Sequence, residues 1–202
     1  MMGTRHHPGV SNQPYFVTAA TRNRQPIFRD RLAAEMMLSE LGRLRDEMGF
    51  ALLAYALMPD HLHLLIVPSE SAGLSRIMQG VKGRFARLWN QRLSQVGGLW
   101  QPRYHESAVR TEAQLRRWIE YIDQNPVKAG LAVTPGQYPY CSAGGKLRTD
   151  MESYLNGSWT GRAEAQPSGG WDRLEKFGGD SLAETHRNHD QYVKTIGPRG
   201  LP

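Results

Sequence analysis

Two histidines separated by one residue are the feature of this sequence whose chemistry stands out. His61 and His63 lie in the segment LMPDHLHLLIV, directly after Asp60. The mostly apolar run around them predicts a strand. Side chains alternate between the faces of a strand, so both imidazoles lie on one face, with Cα atoms roughly 6–7 Å apart. This spacing favours a shared metal ion or phosphate chemistry, and the alternative is a pair of buried neutral histidines.

The residues around this pair do not fit the simpler hydrolytic sites. A histidine-triad hydrolase would need a third histidine where the chain has Leu65. Two-histidine phosphoesterases need two His-x-Ser/Thr motifs, and the chain does not contain two. A zinc hydrolase would need a third strong ligand, for which Asp60, His105 and Glu106 have suitable chemistry but no predictable position.

A later segment, LRRWIEYIDQN, could supply a nucleophile and a further ligand. Its apolar residues Leu115, Ile119 and Ile122 recur at helical spacing, and Tyr121 lies about 120° from that stripe. Asn125 follows four residues later, so its side chain neighbours Tyr121 on the helix. A helix docked on the sheet could therefore bring a phenol and an amide oxygen to one point. The alternative for Tyr121 is an aromatic at the edge of the core with its hydroxyl in water.

The elements that must position these residues follow from periodicity, caps and turns. Asp30 is a typical N-cap, Gly49 a typical helix end, Pro59-Asp60 a tight turn, and Thr111 opens a capping box. Asn125-Pro126 should end or kink the last helix. The order predicts an α+β fold, an antiparallel sheet of about four strands with helices packed on it. The predicted strands are 15–21, 50–58, 61–68 and 101–110, and the predicted helices are 30–48, 73–92 and 111–125.

Composition divides the chain into three parts. Residues 1–14 predict a flexible arm, residues 15–144 a single domain, and residues 145–202 a tail in which periodicity fades. A short helix near 181–189 is the one element that the tail suggests. We hypothesise that this tail is regulatory, folding back over the basic domain and bringing His186 and His189 toward the metal.

The charge distribution indicates a polyanionic partner for the domain. The chain carries 25 Lys and Arg against 19 Asp and Glu, a net charge of +6. Residues 150–202 hold more acidic than basic residues, so the positive excess lies in the rest of the chain. The single cysteine, Cys141, excludes an internal disulfide and a multi-cysteine zinc site. No apolar run reaches the ~18 residues of a membrane span and no secretory signal is visible, so cytoplasmic residence without membrane contact is expected.

Basic and aromatic residues provide candidate nucleic-acid contacts. Each cation could equally be a solvated surface charge. Trp89, Trp100 and Tyr104 could stack on unpaired bases, although core packing is favoured for Trp100 and Trp118. The candidate phosphate contacts are Arg22, Arg24, Lys82, Arg84, Arg87, Arg103 and Arg110.

Three segments together resemble a known family. MPDHLHLLI, YHESAVRTEAQLRRWIEYIDQNPVKAGL and YPYCSAG resemble the REP-associated tyrosine transposases, which belong to the HUH single-tyrosine transposase superfamily. The resemblance covers about residues 15–144. It implies a ferredoxin-like antiparallel sheet of four to five strands, a divalent metal (Mg²⁺ or Mn²⁺), and cleavage of single-stranded DNA at REP-type hairpins.

The resemblance also implies roles for individual residues. Tyr121 is the nucleophile that forms a 5′-phosphotyrosine, His61 and His63 are metal ligands, and Asn125 is the third ligand, where related transposases often carry Gln. A covalent intermediate conserves the phosphodiester, so no nucleotide cofactor is needed. A monomer or a homodimer is expected. Rival functions are a DNA-binding repressor or architectural protein without catalysis, an RNA-binding module, and a phosphodiesterase that uses water.

Overall fold

The computed structural model describes residues 13–159 as one body built on a sheet. The predicted arm is outside this range except for its last two residues, and so are residues 160–202 with the suggested helix 181–189, His186 and His189. No helix within residues 13–159 is long and apolar enough to cross a bilayer. The elements are β1 Tyr15–Ala20, α1 Arg31–Met48, β2 Ala51–Met58, β3 His61–Val67, α2 Leu74–Leu93, β4 His105–Ala108, α3 Glu112–Lys128 and α4 Met151–Leu155.

The four strands form one antiparallel sheet in the order β2-β3-β1-β4. β3 is therefore central and receives hydrogen bonds from neighbours on both sides. The α+β class and the four-stranded antiparallel sheet predicted from the sequence are confirmed.

The alternation along β3 sorts its side chains into two cores. Leu62, Leu64 and Ile66 pack in the cluster that includes the buried faces of α1 and α2. Leu65 and Val67 pack in the second cluster, with Leu115, Trp118 and Ile122 of α3. His61 and His63 share the face of Leu65 and Val67, so they lie on the side of the sheet that α3 covers.

Local signals position most element ends as predicted. The Asp30 carboxylate accepts a hydrogen bond from Ala33 N at 3.0 Å and caps α1. Gly49 ends that helix with φ of 67°, a left-handed conformation that glycine adopts without strain. The Thr111 hydroxyl accepts from Gln114 N at 3.2 Å at the start of α3.

Two predicted boundaries are wrong. The fourth strand is only 105–108. The residues before it form a loop that bonds to other elements: Gln101 N donates to Ala20 O at 2.9 Å, and Lys82 Nζ donates to Gln101 O at 2.7 Å. α3 does not end at Asn125-Pro126. It continues to Lys128 with Pro126 buried inside it, and the Asn125 carbonyl still accepts from Ala129 N at 3.0 Å.

The first part of the segment predicted as a tail packs on the outer edge of β2. Asp150 N donates to Leu52 O at 2.8 Å, and Leu52 N donates to the Asp150 carboxylate at 2.9 Å. Leu147 N donates to the Tyr55 hydroxyl at 3.0 Å, and Tyr154 is buried. These contacts satisfy backbone groups that an open sheet edge would expose.

The Asp150 contact yields a stability prediction. Asp150→Ala should lower the free energy of unfolding by about 1–3 kcal/mol, because the Leu52 N–H at the buried edge loses its acceptor. Urea denaturation of the full chain measures this change. Asp46→Ala is the matched control, because that exposed carboxylate should contribute less than about 0.5 kcal/mol. Equal stability of the two variants would show that the segment after Gly144 does not hold the edge.

Candidate active site

The two histidines of β3 point their outer ring nitrogens at each other. His61 Nε2 and His63 Nε2 lie 3.0 Å apart, and the rings are nearly perpendicular at 83°. His63 is buried and His61 is half-buried. One of these nitrogens can donate its N–H to the lone pair of the other, with the roles set by the tautomers, and a cation bound by both lone pairs is the alternative.

The inner ring nitrogens hold this orientation from behind. Asp60 Oδ1 lies 2.5 Å from His61 Nδ1, and Thr18 Oγ1 lies 2.8 Å from His63 Nδ1. When Nδ1–H donates to a carboxylate, Nε2 keeps its lone pair for another partner. Asp60 and Thr18 thus act on the far side of each ring, one from the β2–β3 turn and one from β1.

Arg24 completes the polar surroundings of His61. Its Nη1 lies 3.2 Å from Asp60 Oδ2 and 3.2 Å from His61 Nδ1. Burial alone would raise the pKa of the Asp60 carboxyl, but the hydrogen bonds and charges of His61 and Arg24 outweigh burial and hold this pKa below its usual value. Asp60 is therefore an anion at neutral pH.

α3 places Tyr121 directly on the histidine pair. The ring centroids of Tyr121 and His63 are 5.5 Å apart and nearly perpendicular, at 75°. Phe16 and Trp118 stack on each other at 3.9 Å and both meet the Tyr121 ring edge-on, at 5.8 and 5.7 Å. The rings of His63, Phe16 and Trp118 thus surround the half-buried Tyr121 phenol.

Asn125 lies one turn after Tyr121, as predicted, but is not hydrogen-bonded to the imidazoles. Its Nδ2 donates to the Tyr121 carbonyl at a long 3.4 Å. Within residues 13–159 there is also no cluster of three or more His, Cys, Asp or Glu side chains that could hold a metal ion. The side chains that meet at this point thus supply two nitrogens, the Nε2 atoms of His61 and His63. Asn125 lies one helical turn after Tyr121.

The spacing of the two nitrogens fits adjacent ligands of one metal ion. Neighbouring ligands of an octahedral ion lie about 3.0 Å apart when metal–ligand distances are about 2.1 Å, and those of a tetrahedral ion about 3.4 Å apart. The 3.0 Å between the Nε2 atoms is compatible with two ligands of one ion and equally with an N–H···N hydrogen bond between the rings. Imidazole suits Mn²⁺ better than Mg²⁺, whose preferred ligands are oxygens.

The three side chains considered as zinc ligands are not brought together. Asp60 is occupied behind His61. His105 pairs across the sheet with Thr18 and shares the face of His63, but it lies on β4, two strands away, where burial lowers its pKa. Glu106 pairs with Val17 and therefore lies on the opposite face. Asp60, His105 and Glu106 therefore do not form a zinc site together with His61 and His63.

The predicted phosphate contacts are dispersed over the described residues, and Arg24 is one that contacts the histidine pair. Lys82 donates to two loop carbonyls, and Arg84 pairs with Glu47 at 2.7 Å, so both have structural partners. Both project from α2, which covers the other face of the sheet, as does the exposed Arg87. Of the remaining three candidates, Arg22 and Arg103 are exposed and Arg110 is half-buried.

Trp89, Trp100 and Trp118 pack in the core. Trp100 and Trp118 are buried, which confirms the preference for core packing. Trp89 is 7% exposed and stacks on Phe85 at 6.1 Å, so its predicted stacking on an unpaired base is wrong.

Sequence reasoning missed three contributors to the site. Phe16 and Thr18 are two residues apart on β1, so both side chains lie on one face of the strand. The pairing of Thr18 with His63 follows only from the strand register. Lys128 lies with its Nζ 5.6 Å from the centroid of the Tyr121 ring. Its position seven residues after Tyr121, two helical turns on, was the available signal.

Comparisons with known proteins identify the family of this chain. A family model described as "Transposase IS200 like" matches residues 9–125, a range that contains both histidines, Tyr121 and Asn125. A REP-associated tyrosine transposase of Escherichia coli (strain K12) is 25% identical over 135 residues, covering 65% of this chain and 76% of that protein.

A solved structure has the same fold. It is described as the REP-associated tyrosine transposase bound to a REP hairpin, and it aligns with a TM-score of 0.61 and 21% identity, covering 83% of this chain and 97% of that one. The family match spans more than half of the chain, and the resemblance and enzyme class inferred from the sequence are confirmed. The chain belongs to the IS200-like transposase family.

Proposed function

We propose that this transposase is a metal-dependent endonuclease and strand transferase that cleaves single-stranded DNA at REP-type hairpins through a 5′-phosphotyrosine. The observation that carries the proposal is the contact of the Tyr121 ring with His63, whose Nε2 faces His61 Nε2 at 3.0 Å. The REP hairpin is proposed as the target because the Escherichia coli relative is described as REP-associated and the solved structure is bound to a REP hairpin.

The proposed reaction transfers a phosphodiester to Tyr121 and back. The Tyr121 oxygen attacks phosphorus, an O–P bond forms, and the bond from phosphorus to the 3′-oxygen breaks. The phenol proton passes to solvent, and the leaving 3′-oxygen takes a proton from it. Attack of a 3′-hydroxyl on the phosphotyrosine reverses these steps, so rejoining needs no nucleotide cofactor.

His61 and His63 would hold the divalent ion, Mn²⁺ or Mg²⁺, with the Asn125 amide oxygen as the proposed third ligand. When bound, such an ion offsets phosphate charge in the transition state. Asp60 and Thr18 keep both Nε2 atoms aimed at that point, because each engages the opposite ring nitrogen. Phe16 and Trp118 restrict the Tyr121 ring, which lowers the entropy cost of reaching the phosphate.

The DNA backbone would be held by cations around the sheet. Arg24 lies beside His61, but it pairs with Asp60 and approaches Nδ1, on the side of the ring away from the facing Nε2 atoms, so it would have to leave these partners to reach the scissile phosphate. Arg22, Arg87, Arg103 and Arg110 would contact flanking phosphates, while Lys82 and Arg84 would first have to leave their protein partners. Tyr121 and His63 of the same chain are in contact, which favours action of Tyr121 within its own subunit, whether monomer or homodimer.

Cleavage of a hairpin oligonucleotide tests the proposal. With Mn²⁺ or Mg²⁺, the wild-type chain should nick single-stranded hairpin DNA and form an adduct that survives SDS. Tyr121→Phe should bind the hairpin but form no adduct, because it lacks the attacking oxygen, and EDTA should abolish nicking. Gel analysis of labelled DNA measures both products.

Two results would contradict this function. Nicking by Tyr121→Phe at the wild-type rate would show that water, not tyrosine, attacks phosphorus. Hairpin binding without nicking by the wild-type chain would leave a DNA-binding repressor as the function.

Metal affinity tests the role of Asp60 independently of activity. Asp60→Ala should weaken Mn²⁺ binding by about 10–100-fold, because His61 loses the partner that orients it. Calorimetric titration of the DNA-free protein measures this, with Asp46→Ala as the control that removes the same charge elsewhere. Equal Mn²⁺ affinity in the two variants would contradict the assignment.

A further inference from the structure

The segment from residue 71 to residue 104 carries positive charge and no negative charge. It contains no Asp or Glu, and its six cations equal the net charge of +6 of the whole chain. Most of the segment forms α2, which packs on the face of the sheet opposite that of Tyr121. Glu47 of the neighbouring α1 is already paired with a cation of α2 at 2.7 Å. The six cations are Arg76, Lys82, Arg84, Arg87, Arg92 and Arg103.

The exposed side of α2 is one polar stripe. Arg76, Gln79, Gly83 and Arg87 are exposed and recur every three or four residues, so they lie along one line of the helix. Arg76 and Arg87 are eleven residues apart, which is about 16 Å along the helix axis. Within residues 13–159 neither of these two arginines forms an ion pair, whereas Arg84 of the same helix pairs with Glu47. The stripe thus presents two uncompensated cations to solvent.

Gly83, between these two arginines, is not required by packing within the described residues. A glycine inside a helix is less favourable than alanine. Gly80 has a packing reason, because a Cβ there would lie 2.9 Å from the Cε of Met48. At Gly83 an added Cβ would meet nothing within 4 Å. The absent side chain leaves the helix backbone bare at the centre of the stripe, where a partner molecule can approach closely.

We propose that the exposed side of α2 binds double-stranded DNA, in a segment other than the hairpin stem that is cleaved. Arg76 and Arg87 contact phosphates on either side of Gly83, and the Gln79 amide donates to a phosphate or sugar oxygen. The flanking phosphates assigned to Arg87 then belong to this duplex. This site does not depend on Tyr121 being the nucleophile.

The chemistry of the stripe favours paired DNA over other polyanions. Proteins that hold unpaired strands stack the bases on aromatic side chains, and the aromatic residues of α2, Phe85 and Trp89, are buried. A helix that binds a lipid surface inserts apolar side chains into it, and the stripe contains none. Arginine and amide side chains are typical contacts to the backbone of a duplex.

The sheet separates this surface from the proposed active site. The thickness of α2, about 10 Å, and the sheet itself lie between the stripe and Tyr121. DNA stays stiff over about 150 base pairs, so a short stem that starts at Tyr121 does not bend around the domain to reach α2. The chain therefore holds two DNA segments on opposite faces, an arrangement that would keep a cleaved strand close to a duplex.

Binding of a labelled, blunt-ended DNA duplex, followed by fluorescence anisotropy, tests the inference without requiring activity. Gly83→Gln should weaken binding about tenfold, because its side chain fills the approach to the backbone. The same change should raise the melting temperature by about 1–3 °C, since glutamine is the better helix former. A purely structural role of Gly83 would not give weaker binding together with higher stability.

Charge variants give the matched comparison. Arg76→Gln should weaken duplex binding about 3–10-fold and reduce the salt dependence of binding by about one released ion. Arg116→Gln removes the same charge from α3, on the other side of the sheet, and should bind the duplex like wild type.

Adduct formation distinguishes a second DNA site from an extension of the hairpin site. With Mn²⁺ present, Gly83→Gln should form the Tyr121 adduct on the hairpin oligonucleotide at the wild-type rate. Beads that carry the duplex should retain labelled hairpin through the wild-type protein, and Gly83→Gln should lose this retention.

Three results would overturn the inference. Wild-type duplex affinity in both Gly83→Gln and Arg76→Gln would show that α2 is not the site. A parallel loss of duplex binding and adduct formation in Gly83→Gln would show that α2 holds the cleaved hairpin itself. Tighter binding of paired RNA or of phosphatidylglycerol vesicles than of the DNA duplex would identify a different partner. Intact duplex binding by a wild-type chain that forms no adduct would contradict the proposed function alone.

Discussion

A short chain of hydrogen bonds holds the two imidazoles of β3 with their Nε2 atoms 3.0 Å apart, and the rest of the site is arranged around this constraint. Each ring is fixed from behind, His61 by Asp60 of the β2–β3 turn and His63 by Thr18 of β1. Facing lone pairs are unfavourable unless a cation or proton lies between them. The packing of the central strands therefore keeps both Nε2 atoms directed at one point, where a proton joins them and a divalent ion could take its place.

The second layer of the site is aromatic. Phe16 stacks on Trp118, and both rings contact the Tyr121 ring edge-on. Both belong to the core under α3, so the same packing that stabilises the helix also places the phenol. Catalytic geometry of this kind depends on rigid elements, which explains why both the histidines and Tyr121 lie in regular secondary structure and not in loops.

Much of this arrangement follows from local rules that a sequence displays. Alternation put His61 and His63 on one face, and helical spacing put Tyr121 about 120° from the apolar stripe of α3, one turn before Asn125. The pairing of Thr18 with His63 depends on strand register, which joins residues 45 positions apart and leaves no local trace. Packing also overrode local signals: Pro126 is accommodated inside α3, Trp89 is buried, and Asp150 ties the segment after Gly144 to β2.

The central claim is that His61 and His63 jointly bind one divalent ion next to Tyr121. Anomalous diffraction from a crystal of the full chain soaked in Mn²⁺ tests it most directly, because the signal locates manganese without any assumption about activity. The account predicts one strong peak within about 2.3 Å of both Nε2 atoms, on the side of the pair that faces α3. A Mn²⁺ peak away from the two imidazoles, or none at a concentration that supports nicking, would contradict it.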